Sequence, residues 1–441
     1  MKYRIISNAF IVVAIVLSSA CKTEQEIKGI YYDPAGATIT TDKEIFPQHK
    51  RTIFFSNSGV CASNEFEGAR LNDFYQTNDS VYTAVIEPEN APINNSAWYA
   101  FKLWSDKEQP IYLNLHYKNG SHRYVPKLSY DGINWEVFDS TKIMVDSSRE
   151  NAKLKLTLTK DTLWFSAQEL ITSSFYEKWE SELAQSKFIE KKTIGKSPEG
   201  KNINELVISE PNAGDKYIII IGRQHPPEVT GFFALKKFIE TLTGETDVAM
   251  KFRKEYNVVV IPLVNPDGVD NGHWRHNVHG VDLNRDWVNF NQLETQAVRN
   301  EINKINGSGG QLKFFIDSHS TQQDVFYTLS LESTITEDYD EKAKEKAKEN
   351  NLLVNQWLKN LQTRLPDYFV NVIDTLSGGK SPTSDRWIQR NFNIPAMTYE
   401  VGDETNRELI KRVAETAATE FMKLMMLTSN ENQKSFVASN K

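Results

Sequence analysis

The sequence predicts an α/β protein in two successive parts, an N-terminal antiparallel β-sandwich followed by a doubly wound mixed sheet. Three observations predict it. Short runs with period-two alternation or strong β propensity recur from Thr52 to Leu158 with no helical pattern between them, as in a sandwich. Asn119-Gly120 and Asp131-Gly132 punctuate those runs as hairpin turns. After Leu206 strand and helix patterns take turns, the signature of a sheet covered on both faces.

Taken in order, residues 1–20 combine Lys2 and Arg4, an apolar stretch from Phe10 to Leu17, and small residues ahead of Cys21. The stretch is too short to span a bilayer as a helix. It resembles a bacterial lipoprotein signal, which implies lipid on Cys21 and a place in the bacterial cell envelope, held to the membrane and either periplasmic or surface-exposed. Cys61 is the only other cysteine, so it has no disulfide partner if Cys21 is acylated, and it reads as a small buried residue. Residues 21–45 are polar and read as a tether.

Residues 46–166 make the sandwich, with strands expected over Thr52 to Phe55, Val81 to Ile86, Trp98 to Trp104, Ile111 to Tyr117 and Leu154 to Leu158. Residues 167–430 make the second domain. It opens with a helix from Ser173 to Gln185 and a strand near Leu206, followed by a buried strand from Tyr217 to Ile221. Helices from Gly231 to Leu242 and Glu294 to Ile305 alternate with strands from Val258 to Leu263 and Phe314 to Ile316. A charged helix begins at Glu341, and residues 431–441 form a polar tail. With a formal net charge of -7, no basic surface argues for a nucleic-acid partner, and none is expected.

Chemistry-bearing residues gather where expected strands end. Gly222-Arg-Gln-His225-Pro-Pro-Glu228 follows the apolar run at 217–221, and open α/β sheets place ligands at such carboxyl ends. An imidazole and a carboxylate three positions apart can converge on one zinc ion. Asn265-Pro-Asp-Gly268 opens a loop holding His273-Trp-Arg-His276 and Gly280-Val-Asp-Leu-Asn-Arg285. One later apolar strand stops on His319-Ser320 and another on Thr398-Tyr-Glu400.

These motifs, in this order across about 180 residues, make the sequence resemble the zinc metallocarboxypeptidase family. The sandwich ahead of them is most similar to the cytosolic-carboxypeptidase branch. The resemblance implies one Zn2+ per chain held by His225, Glu228 and His319, with Asp282 orienting His225 from behind. It implies Glu400 as general base on the attacking water, and Arg275 as the group that stabilises the oxyanion. Asn284 and Arg285 would grip the terminal carboxylate of a peptide or protein C-terminus. Two positions depart from the pattern: Pro227 stands where many secreted members have Arg, and Asp374 falls where the family has a mobile tyrosine. Lys380 lies where the family builds its side-chain pocket and is expected to favour acidic C-terminal residues. Competing expectations are a zinc amidohydrolase acting on cell-wall peptides or N-acyl amino acids, and a non-catalytic surface binding lipoprotein. The histidines at 273, 276 and 279 are expected to pack beside Arg275 rather than hold a second metal.

Overall fold

The computed structural model describes residues 36–335, 339–375 and 382–429. The expected signal peptide, Cys21, Lys380 and the 431–441 tail lie outside the described residues.

The N-terminal part consists of two sheets packed face to face. One has six strands in the order Thr52–Phe54, Val60–Ser63, Ala100–Ser105, Leu163–Ser166, Lys127–Ser129 and Glu136–Val137. The other has five, in the order Asp73–Asn78, Val81–Ile86, Gln109–Tyr117, Asn151–Leu158 and Met144–Val145. Alternation along these strands sends every second side chain inward. Asn151–Leu158 shows this plainly, with Ala152, Leu154, Leu156 and Leu158 all buried. Aromatic rings bridge the two layers: Phe55 meets Tyr82 at 5.4 Å and Tyr99 meets Tyr117 at 6.3 Å between centroids.

The sandwich departs from the expected all-antiparallel pairing at one place. Val81–Ile86 runs parallel to Gln109–Tyr117. Between them the chain crosses to the other sheet to form Ala100–Ser105 and then returns, and a crossover of that length lets the second strand run in the same direction.

The second part is an eight-stranded mixed sheet. Its order is Ile189–Lys196, Asn202–Ile208, Tyr256–Ile261, Lys216–Gly222, Gln311–Thr321, Ala396–Gly402, Val325–Leu329 and Val372–Thr375. The central strand Lys216–Gly222 pairs parallel with both neighbours, and Gln311–Thr321 pairs parallel with Ala396–Gly402. Period-two geometry splits the isoleucine run of the central strand between two cores. Ile218 and Ile220 pack with helices Val229–Leu242 and Arg407–Ser429 on one face. Ile219 and Ile221 pack with helix Leu293–Gly307 and Trp287 on the other. Both faces are therefore covered, which is why that strand reads as continuously apolar.

From Lys216–Gly222 the chain goes first to Tyr256–Ile261 on one side and then to Gln311–Thr321 on the other. The strand order reverses there, and a crevice opens at the carboxyl ends of Lys216–Gly222 and Gln311–Thr321.

Residues 36–45 differ from the free tether expected of them. Ala37 and Thr40 are buried, and the Gln292 amide donates to the Thr40 carbonyl at 2.9 Å and to Asp42 at 3.2 Å. Asn289 and Asn291 both donate to the Thr40 hydroxyl. The Lys43 backbone N–H donates to the His279 carbonyl at 2.8 Å. The polar groups that suggested solvation are matched instead by a polar loop.

Candidate active site

The loop after the central strand is held by its own first side chain. Arg223 adopts a left-handed backbone conformation, φ 53°, and its buried guanidinium donates to the Pro226 carbonyl at 2.7 Å and the Tyr176 hydroxyl at 3.2 Å. That fold-back leaves His225 and Glu228 facing the crevice. Helix Val229–Leu242 begins immediately afterwards and abuts the strand that carries His319. The Gly231 N–H donates to the Ser320 hydroxyl at 2.7 Å, and the Ser318 hydroxyl donates to the Gly231 carbonyl at 2.9 Å. A Cβ on Gly231 would lie 2.4 Å from the His319 carbonyl oxygen, so only glycine permits this approach.

His225, Glu228 and His319 converge and are all buried. Glu228 Oε1 lies 2.8 Å from His225 Nδ1, Glu228 Oε2 lies 2.7 Å from His319 Nδ1, and the two Nδ1 atoms are 3.2 Å apart. The outer nitrogens face carboxylates: His225 Nε2 is 3.0 Å from Asp282 Oδ1, and His319 Nε2 is 2.9 Å from Asp317 Oδ2. Those partners place the N–H of each neutral ring at Nε2 and turn its Nδ1 lone pair inward. Two lone pairs and a carboxylate then crowd one point in a dry pocket. A divalent cation resolves that crowding, and the donor set is one that zinc accepts. Among the described residues this is the one group of three or more His, Cys, Asp or Glu side chains with such geometry.

Asp282 joins two parts of the site. Its Oδ1 also accepts the Asn284 N–H at 2.9 Å, while Oδ2 accepts Nε of Arg275 at 2.7 Å. Burial opposes its ionisation, but Arg275, His225 and Arg285 outweigh burial and hold the carboxyl well below the usual range. Asn284 and Arg285 are buried next to it, with the Asn284 amide oxygen accepting the Ser384 N–H at 3.0 Å and Arg285 donating to the Asn284 carbonyl at 2.8 Å.

Glu400 stands beside His319, because the two residues are register partners on adjacent parallel strands. Its Oε2 has no hydrogen-bond partner among the described residues. Burial raises its carboxyl to about 7, with the Glu228 charge adding in the same direction. A half-buried carboxyl with an unengaged oxygen beside the donor set is suited to exchanging a proton near neutral pH.

The zinc carboxypeptidase family profile matches residues 176–423, more than half of the chain. The chain belongs to the zinc carboxypeptidase family. It is 24% identical over 264 residues to an uncharacterised protein of Zymomonas mobilis, covering 58% of this chain and 66% of that one. It is 22% identical over 339 residues to mouse cytosolic carboxypeptidase 3, covering 69% of this chain but only 33% of the relative. The chain thus spans about two thirds and one third of those two relatives. The metallo-carboxypeptidase of Burkholderia cenocepacia superposes with a TM-score of 0.68 at 18% identity, over 83% of this chain and 99% of that one. A Pseudomonas aeruginosa metallo-carboxypeptidase, solved with (2-guanidinoethylmercapto)succinic acid, gives 0.68 at 17% identity, covering 82% and 98%. Both structures share the fold of this chain over more than four fifths of its length.

The remaining expected positions are distributed as follows. Asp374 lies in the edge strand Val372–Thr375, exposed, and accepts a hydrogen bond from the Thr328 hydroxyl. A side chain held in strand register cannot swing as a mobile cap does. His273 and His276 pack in the loop around Arg275, with His273 Nδ1 3.0 Å from the His276 carbonyl and His276 Nδ1 2.7 Å from Asn90 Oδ1. The sequence reading missed Asp317, Gln224 and Glu89. Asp317 Oδ2 takes the Gln224 amide at 2.6 Å and the Ser384 hydroxyl as well as His319. A signal for it existed, since residues two apart on a strand share a face and Asp317-Ser-His319 is such a pair.

Proposed function

We propose that the protein is a zinc-dependent metallocarboxypeptidase that hydrolyses C-terminal peptide bonds. The observation that carries this reading is the meeting of His225, Glu228 and His319, from two strand ends 94 residues apart, with Glu400 alongside. These three side chains would hold zinc, which supplies Lewis acidity and lowers the pKa of water to about 7. Glu400 takes a proton from the attacking water and delivers it to the leaving amine nitrogen. The Arg275 guanidinium, fixed through Nε by Asp282, offers its remaining N–H groups to the charge that develops on the carbonyl oxygen. Asn284 and Arg285 hold the terminal carboxylate, which makes the enzyme an exopeptidase.

Glu400→Gln tests the reading directly. The variant is expected to keep stoichiometric zinc and lose about 10³-fold in kcat, checked by metal analysis and by mass spectrometry of peptides before and after incubation. Full turnover in the zinc-loaded variant would place the base elsewhere.

Two finer readings rest on sequence position. Lys380 is proposed to favour acidic C-terminal residues, and peptides ending in Glu, Leu and Lys are expected to be cut in that order of preference; equal rates would remove it. Cys21 is proposed to carry lipid that anchors the enzyme in the cell envelope. Cys21→Ser should abolish incorporation of labelled fatty acid and release the protein from the membrane fraction.

A further inference from the structure

Glu89 lies in the connection after the sandwich strand Val81–Ile86, and its carboxylate is wholly shielded from solvent. Oε2 accepts the Trp274 backbone N–H at 2.7 Å, and Oε1 accepts those of Arg275 at 3.0 Å and His276 at 2.7 Å. Three successive amides of the loop that carries Arg275 thus end on one side chain from the other part of the molecule. Burial alone would raise the Glu89 carboxyl; His273, His276, Arg70 and the Trp274 N–H outweigh it and bring it down to about 2.

The neighbouring residue continues the grip. Asn90 Oδ1 faces His276 Nδ1 at 2.7 Å, and its amide donates to the Gly280 carbonyl at 3.1 Å. Trp274 and His276 are fully buried, so amides left without an acceptor there would be costly. With the peptide groups on both sides of Arg275 fixed, the origin of its side chain is fixed too, and Nε reaches Asp282, the carboxylate behind His225.

We infer that Glu89, supported by Asn90, is a positioning residue for Arg275, so that the sandwich supplies part of the catalytic apparatus. The inference rests on the reading of Arg275 as the group facing the carbonyl oxygen. Glutamine at position 89 keeps the shape but turns an amide group towards backbone donors, leaving at least one of the three without an acceptor.

A double-mutant cycle on the full, zinc-loaded enzyme tests it. Arg275→Ala is expected to lose about 10²- to 10³-fold in kcat. Glu89→Gln is expected to lose about 10- to 100-fold in kcat with KM within about twofold and zinc retained. In the Arg275→Ala background Glu89→Gln should then change kcat/KM by less than about twofold, an outcome a merely structural role would not give. The full single-mutant loss appearing again in that background, or a wild-type kcat for folded Glu89→Gln, overturns the inference. An unaltered rate for Arg275→Ala sinks the reading of Arg275 itself, so the two failures are told apart. Circular dichroism reports folding throughout; should Glu89→Gln not fold, Asn90→Ala carries the same cycle with the same two outcomes.

Discussion

Asp282 and Asp317 do the same work for two different histidines, each accepting an Nε2–H so that Nδ1 turns inward. Replacing either by Asn removes the charge that makes its imidazole a better donor. Asp317→Asn is expected to weaken zinc binding about 10- to 100-fold, measured by competition with a chromophoric chelator. Asp282→Asn should do the same and lower kcat as well, because only Asp282 also holds Arg275. The candidate metal ligands and Glu400 were legible because each closes an apolar strand or follows one, and such endings are visible in a single sequence. Glu89 was not. It meets residues 185 to 187 positions away, and nothing local to Pro88-Glu89-Asn90 signals them. Its depressed pKa makes a further prediction. The stabilisation is complete above the ordinary value of 4.5 and lost as pH falls through about 2. The stability gap between wild type and Glu89→Gln in denaturant titrations should therefore be widest above pH 4.5 and close steadily towards pH 2.

At the scale of elements, the site depends on how closely helix Val229–Leu242 approaches strand Gln311–Thr321. Helix propensity alone favours Ala over Gly by about 1 kcal/mol in a helix interior. Here the new methyl would strike the backbone of His319, so Gly231→Ala is expected to reverse that sign and destabilise by about 1–3 kcal/mol. A lower thermal midpoint and weaker zinc binding, read by calorimetry and metal titration, are the expected results; a more stable protein would show that helix and strand are free to separate. The helix itself was readable from its apolar spacing, and its observed start at Val229 follows directly on the candidate ligand Glu228. The parallel pair Val81–Ile86 and Gln109–Tyr117 was not readable, because strand direction is set by where the intervening chain travels and not by alternation along either strand.

For the whole molecule, the metal is expected to act as a staple between two strand ends. Chelation should lower the unfolding midpoint and zinc should restore it, with about 4 kcal/mol at a free ion concentration a thousand times the dissociation constant. An unchanged midpoint after verified metal removal would mean that the three ligands stay together unaided. The two parts share one apolar core that runs from Phe101 through Trp179 to Phe421, and ion pairs cross between them, Arg123 to Asp403 at 2.8 Å and Lys127 to Glu404 at 2.9 Å. The order of the two parts was legible in the switch from period-two runs to alternating strand and helix. Their union was not, because the apolar side chains and ion pairs that make it are scattered over both.

That union has a consequence for folding. The Glu89 carboxylate is shielded by the amides of Trp274, Arg275 and His276, so it stays hydrated until the second part packs against the sandwich. A sandwich standing alone would carry a wet, charged rim where the complete molecule has a dry seam.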